Sequence, residues 1–217
     1  MPKWLKRVIG ILLVPVCLGA ASALSQVIGA AGNAHTFWVA LAGGVACWFT
    51  VFLLLPKPML VYVFGHELTH AVWTWAFGGR VKKFKATARG GQVVLTKSNF
   101  LIALAPYFFP LYAVLVVLVF LAGHWLWNWQ AYLPWFHFCI GIAYAFHVTL
   151  TWHILQTRQS DITDQGYIFS AAVIWIGNIL VVLIGIPLLT ARVRLLDAMA
   201  WWLEGTARVL HWLAGRW

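Results

Sequence analysis

Apolar residues run along this chain in long blocks separated by short polar breaks. The blocks cover about residues 8–28, 36–55, 59–77, 98–122, 134–155 and 167–190. At 1.5 Å per helical residue, about 20 residues cross the hydrocarbon core of a bilayer. The pattern therefore predicts about six transmembrane helices. Pro56-Lys57-Pro58 breaks the chain after the second block. The first block follows Lys3, Lys6 and Arg7 and carries Ala21-Ser22-Ala23, which also fits a cleaved signal peptide over residues 1–23. Its length favours an uncleaved helix.

Two stretches break the pattern. From about 80 to 96, β-prone runs (Arg80 to Thr87, then Gln92 to Thr96) flank Gly90-Gly91, which predicts a short β-hairpin. Over 192–217, Leu195, Leu196, Met199, Trp202 and Leu203 alternate with Arg194, Asp197, Glu204 and Arg208, the pattern of an amphipathic helix at a membrane surface. With no repeats and no separable soluble part, the expected fold is an all-α polytopic membrane protein forming one membrane-embedded domain over 1–217.

Composition strengthens this reading. Hydrophobic residues make up 63% of the 217 positions and charged residues 9%, with mean hydropathy +0.84. A soluble domain carries about a quarter charged residues. The formal net charge of +10 sits in short loops, where Lys and Arg meet lipid headgroups, so no nucleic-acid partner is implied. The basic loops divide eight against seven across alternate sides, leaving orientation open. Cys17, Cys47 and Cys139 lie in apolar runs without metal-ligand spacing and read as small packing residues.

Candidate chemistry lies in the third block, at His66-Glu67-Leu68-Thr69-His70. Residues four apart share a helix face, so both imidazoles can turn to one metal ion. Glu67 projects beside that position, where a carboxylate can take a proton from an attacking water. The alternative is two buried histidines and a paired carboxylate. By composition, however, the motif arises by chance in roughly a few of a thousand such chains, and a carboxylate amid an apolar span is costly without a function.

A catalytic zinc takes three protein ligands and keeps one position open. Of the five acids, Glu67 is the base, and Asp197 and Glu204 lie in the tail. Asp161, which follows most directly from the fifth block, is the first candidate for third ligand, and Asp164 is the alternative; either can instead cap the helix that follows. His147 and His153 could orient a ligand or replace the aspartate, although ordinary buried or interfacial histidines would look the same. His35, His124, His137 and His211 read as interfacial. Asn99 and Asn178 read as helix–helix hydrogen-bonding amides, or as oxyanion donors.

Phe64-Gly65-His66-Glu67-Leu68-Thr69-His70-Ala71 in an apolar helix, followed by a hairpin, two spans and an aspartate, resembles the site-two protease family of intramembrane zinc metallopeptidases. The likeness covers about residues 59–166 and is nearest to the compact bacterial branch without PDZ or CBS domains. It implies a multi-pass protein of the bacterial inner membrane that hydrolyses membrane-associated peptide substrates. Within it, His66, His70 and Asp161 would hold Zn2+ and Glu67 would be the catalytic base. The aspartate stands in Ser-Asp-Ile-Thr-Asp-Gln-Gly, whereas family members commonly have Asn-Pro-x-Asp-Gly. Zincins whose third ligand is Glu fit less well, because Glu204 is the one remaining Glu and lies in the tail. A non-catalytic zinc-binding scaffold is the other reading. A transporter would need inverted repeats, which the pattern does not offer.

Overall fold

The computed structural model describes residues 1–215, so the last two residues of the expected tail helix, 216 and 217, lie outside the described residues. The helices are α1 (Lys3–Leu12), α2 (Val14–Ala30), α3 (His35–Leu54) and α4 (Met59–Ala76). Strands β1 (Val81–Thr87) and β2 (Gly90–Leu95) follow, then α5 (Phe100–Leu104), α6 (Leu111–Trp127), α7 (Leu133–Leu155), α8 (Ser160–Gln165), α9 (Tyr167–Thr190) and α10 (Leu195–Ala214). Four stretches are long and apolar enough to cross a membrane: Lys3–Ala30, His35–Leu54, Trp129–Leu155 and Tyr167–Thr190. A bent pair, Phe100–Tyr107 with Leu111–Trp127, makes a fifth if it counts as one span. α4 is not among them by that measure, because His66, Glu67 and His70 lower its hydropathy.

The expected continuous helix over 98–122 is broken, with an 80° bend between its halves. Pro106 and Pro110 account for the break, since each lacks an N–H and disfavours helical backbone in the residue before it. Asn99 is not a mid-helix amide. Its side chain caps α5, accepting from the Ile102 N–H at 2.8 Å.

The chain packs as two compact units, residues 36–159 and residues 1–35 with 160 onward. In the first, α3, α4 and α7 meet around Trp48, Tyr62, Val63, Phe146 and Leu150. α3 and α7 touch closely at Gly44 and Gly141, where an added Cβ would overlap the backbone of the opposite helix. Trp48 Nε1 donates to Thr149 Oγ1 at 2.7 Å across the same contact. The strands pair antiparallel from Val81↔Leu95 to Thr87↔Gly90, with an irregularity between Val81 and Lys83, and the hairpin packs on α4.

In the second unit, α2 packs on α9 and α10. A Cβ at Gly205 would lie 3.0 Å from the Gly19 carbonyl oxygen, and Trp202 Nε1 donates to Val16 O at 3.0 Å. The expected amphipathic tail is therefore helical, with Ala198 and Gly205 buried and Leu196 and Leu203 exposed. Lys6 Nζ donates to Gln165 Oε1 at 2.6 Å and so ties α8 to α1. Gly166, at φ +92°, ends α8 in backbone that side chains rarely adopt.

Candidate metal centre

α4 places His66 and His70 one turn apart with ring centroids 5.0 Å from each other. One ligand nitrogen from each lies within 4.8 Å of the other, close enough to share an ion. His70 is buried, and His66 is half-buried with the Tyr107 ring edge-on against it at 5.2 Å. His70 Nδ1 lies 2.8 Å from the Ile102 carbonyl oxygen. That oxygen can only accept, so Nδ1 carries the hydrogen and the lone pair stays on Nε2. Histidine ligates metals through either ring nitrogen; with Nδ1 bonded to Ile102, Nε2 is the one that could do so here, and an outer hydrogen bond of this kind holds a ligating ring in place. The donor chemistry of the pair thus fits Zn2+.

Glu67 is 8% exposed. Its side chain runs beneath β2, where a Cβ added to Gly91 would come within 2.5 Å of Glu67 Cγ and Oε1. The hairpin backbone therefore rests on this carboxylate, and only glycine leaves it room. Thr69 Oγ1 donates to Gly65 O at 2.7 Å, so that side chain is spent on its own helix.

A small cavity opens on the same face of α4. Its volume is about 20 Å³ for a water-sized occupant, and its walls include Tyr62, His66, Thr69, Pro106, Tyr112 and His147. Tyr112 Oη donates to Val61 O across one side of it.

The two aspartates lie on α8. Asp161 is in its first turn and half-buried, whereas Asp164 is exposed, with its backbone carbonyl 3.4 Å from Lys6 Nζ. Among the other histidines, His35, His124 and His211 are exposed and His153 is half-buried. His137 is not interfacial: it is buried among aromatic rings, with Phe37 edge-on at 5.1 Å. Asn178 donates to Ile174 O of its own helix at 2.9 Å. Sequence reasoning missed Ile102 and Gly91. Ile102 acts through its backbone carbonyl, which leaves no mark on residue type. The sequence puts Gly90-Gly91 at the turn, whereas both glycines lie in β2, paired with Thr87 and Ala86, and the closeness of Gly91 to Glu67 depends on how the hairpin docks.

No protein-family model, no curated protein and no solved structure matches this chain.

Proposed function

We propose that this protein is an intramembrane zinc metallopeptidase that cleaves peptide bonds in membrane-associated substrates. The observation that carries the reading is the His66–His70 pair on one face of α4, with Ile102 O fixing the His70 tautomer and Glu67 held beside it under Gly91. A buried pair without a metal would also bond one ring to a carbonyl; what favours a metal is that both rings and a carboxylate share one buried helix face. His66, His70 and Asp161 are the proposed ligands, with Asp164 as alternative. Asp161 is preferred because it is half-buried where Asp164 is exposed. The likeness to the site-two protease family agrees with this set. α4 and the bent α5–α6 pair would join the four apolar stretches as spans, giving six in a bacterial inner membrane.

Zinc, when bound, supplies a positive charge that acidifies water and polarises a carbonyl. Glu67 takes one proton as the water oxygen bonds to the peptide carbon. When the C–N bond breaks, its electron pair goes to nitrogen and Glu67 returns the proton there. Products are an amine and a carboxylic acid, which ionises to solvent. Burial keeps Glu67 aimed, and the hairpin edge offers an extended peptide a strand to pair with.

The test is zinc content and cleavage of fluorogenic peptides with an apolar segment, on protein purified in detergent without chelator. Wild type should hold one zinc and cleave. Glu67→Gln should keep the zinc and lose cleavage, and His66→Ala should lose both. Zinc without hydrolysis in the wild type would leave the scaffold reading, and absence of zinc would end both.

A further inference from the structure

His147 has no part in the scheme above, yet it lies on the same cavity wall as His66. Its side chain is 7% exposed, and its Nε2 is buried with no hydrogen-bond partner in the protein. Burying a polar nitrogen without a partner is costly, so such atoms call for an explanation. Packing does not provide one, since an apolar side chain would fill the space beside Tyr62, Phe146 and Tyr112 at no such cost. The cavity, at about 20 Å³, has room for about one water or one projecting oxygen atom. Nor does His147 join His66 and His70 in a cluster within metal-ligand reach, among the described residues. It lines the cavity together with His66.

We infer that His147 is a catalytic residue whose Nε2–H donates to the oxygen of the scissile carbonyl as that oxygen gains negative charge. The inference rests on the peptidase reading and assigns the cavity between His66 and His147 to that oxygen. A donor aimed there binds the reacting state better than the planar substrate, so its effect falls on kcat rather than on KM. Tyr112 is a weaker candidate for this role, because its hydroxyl already donates to Val61 O.

The experiment compares wild type, His147→Met and His147→Gln in zinc content, in kcat and KM on a fluorogenic apolar peptide, and in binding of two probes. One probe is a phosphinic pseudodipeptide, whose tetrahedral anion resembles the reacting state. The other is acetohydroxamate, which needs only the metal. Methionine fills the volume without donating, and glutamine keeps an N–H at nearly the same reach. His147→Met should keep its zinc and its acetohydroxamate affinity, and bind the phosphinate at least tenfold more weakly. Its kcat should fall by roughly 10²–10³, the usual loss for one such donor. His147→Gln should recover most of both losses. Unchanged kcat and phosphinate binding in His147→Met, beside an active wild type, would overturn the inference and leave the peptidase reading standing. A folded but equally impaired His147→Gln would overturn it in favour of packing, and zinc lost with His147→Met would overturn it in favour of ligation. A wild type without zinc or cleavage would end the peptidase reading and this inference with it.

Discussion

At the scale of single residues, the site depends on groups that aim other groups. Ile102 O holds the His70 ring through Nδ1, and Gly91 leaves room for the Glu67 carboxylate. These two roles give different expectations. Gly91→Ala puts a methyl group 2.5 Å from Glu67 Cγ and Oε1, and a shift of about 1 Å in a catalytic group can cost about 100-fold in rate. Under the proposed peptidase function, Gly91→Ala should keep its zinc and lose about tenfold to 100-fold in kcat. Wild-type kcat in this variant would show that the hairpin has no hold on Glu67. On the same reading, His70→Gln puts an amide, a poor zinc ligand, in place of the imidazole, so zinc content measured after dialysis should fall well below one per chain.

Among elements, two close approaches and one turn can be tested by stability. Gly44 and Gly141 let α3 and α7 touch backbone to backbone. A leucine at Gly141 must push the helices apart, and overpacking of this kind costs about 1–3 kcal/mol or more. Thermal unfolding in detergent should show a clear drop for Gly141→Leu and little change for Gly185→Leu, because nothing lies within 4 Å of a Cβ there. Gly166 sits at φ +92° between α8 and α9, so Gly166→Ala should cost about 1–3 kcal/mol through backbone strain alone. At the start of α10, the Arg194 guanidinium pairs with Asp197 at 2.7 Å and holds its carboxyl below the usual carboxylate range. A depressed pKa stabilises the fold above the ordinary carboxylate pKa, and that help is lost as pH falls through the lowered value. The pair is solvent-exposed, so its effect is small and screened by salt.

For the whole molecule, the apolar stretches and the exposed tryptophans point to lipid as the surrounding medium. Trp4, Trp125 and Trp135 are each about two-thirds exposed or more, as suits side chains at a membrane interface. The protein should stay with the membrane pellet through alkaline carbonate extraction. Its release to the supernatant would contradict a multi-pass arrangement.

Much of this was readable without coordinates, because lipid imposes a simple rule. Every backbone group in the bilayer must be satisfied within its own segment, so apolar length by itself predicts helices. The Gly90-Gly91 pair between β-prone runs and the His-x-x-x-His spacing are equally local, and hairpin and histidine face both follow from them, although the turn falls just before the glycines. The bend at Pro106 and Pro110 is also legible in the chain, where two prolines four apart interrupt the apolar continuity of 98–122. Other features were decided only by tertiary packing. The burial of His137, the capping role of Asn99, the seat of Glu67 under Gly91 and the hold of Ile102 O on His70 join residues distant in sequence or act through backbone atoms. Periodicity records which face of a helix is apolar. It does not record which neighbour that face meets, and that contact orients the rings and carboxylate of the site.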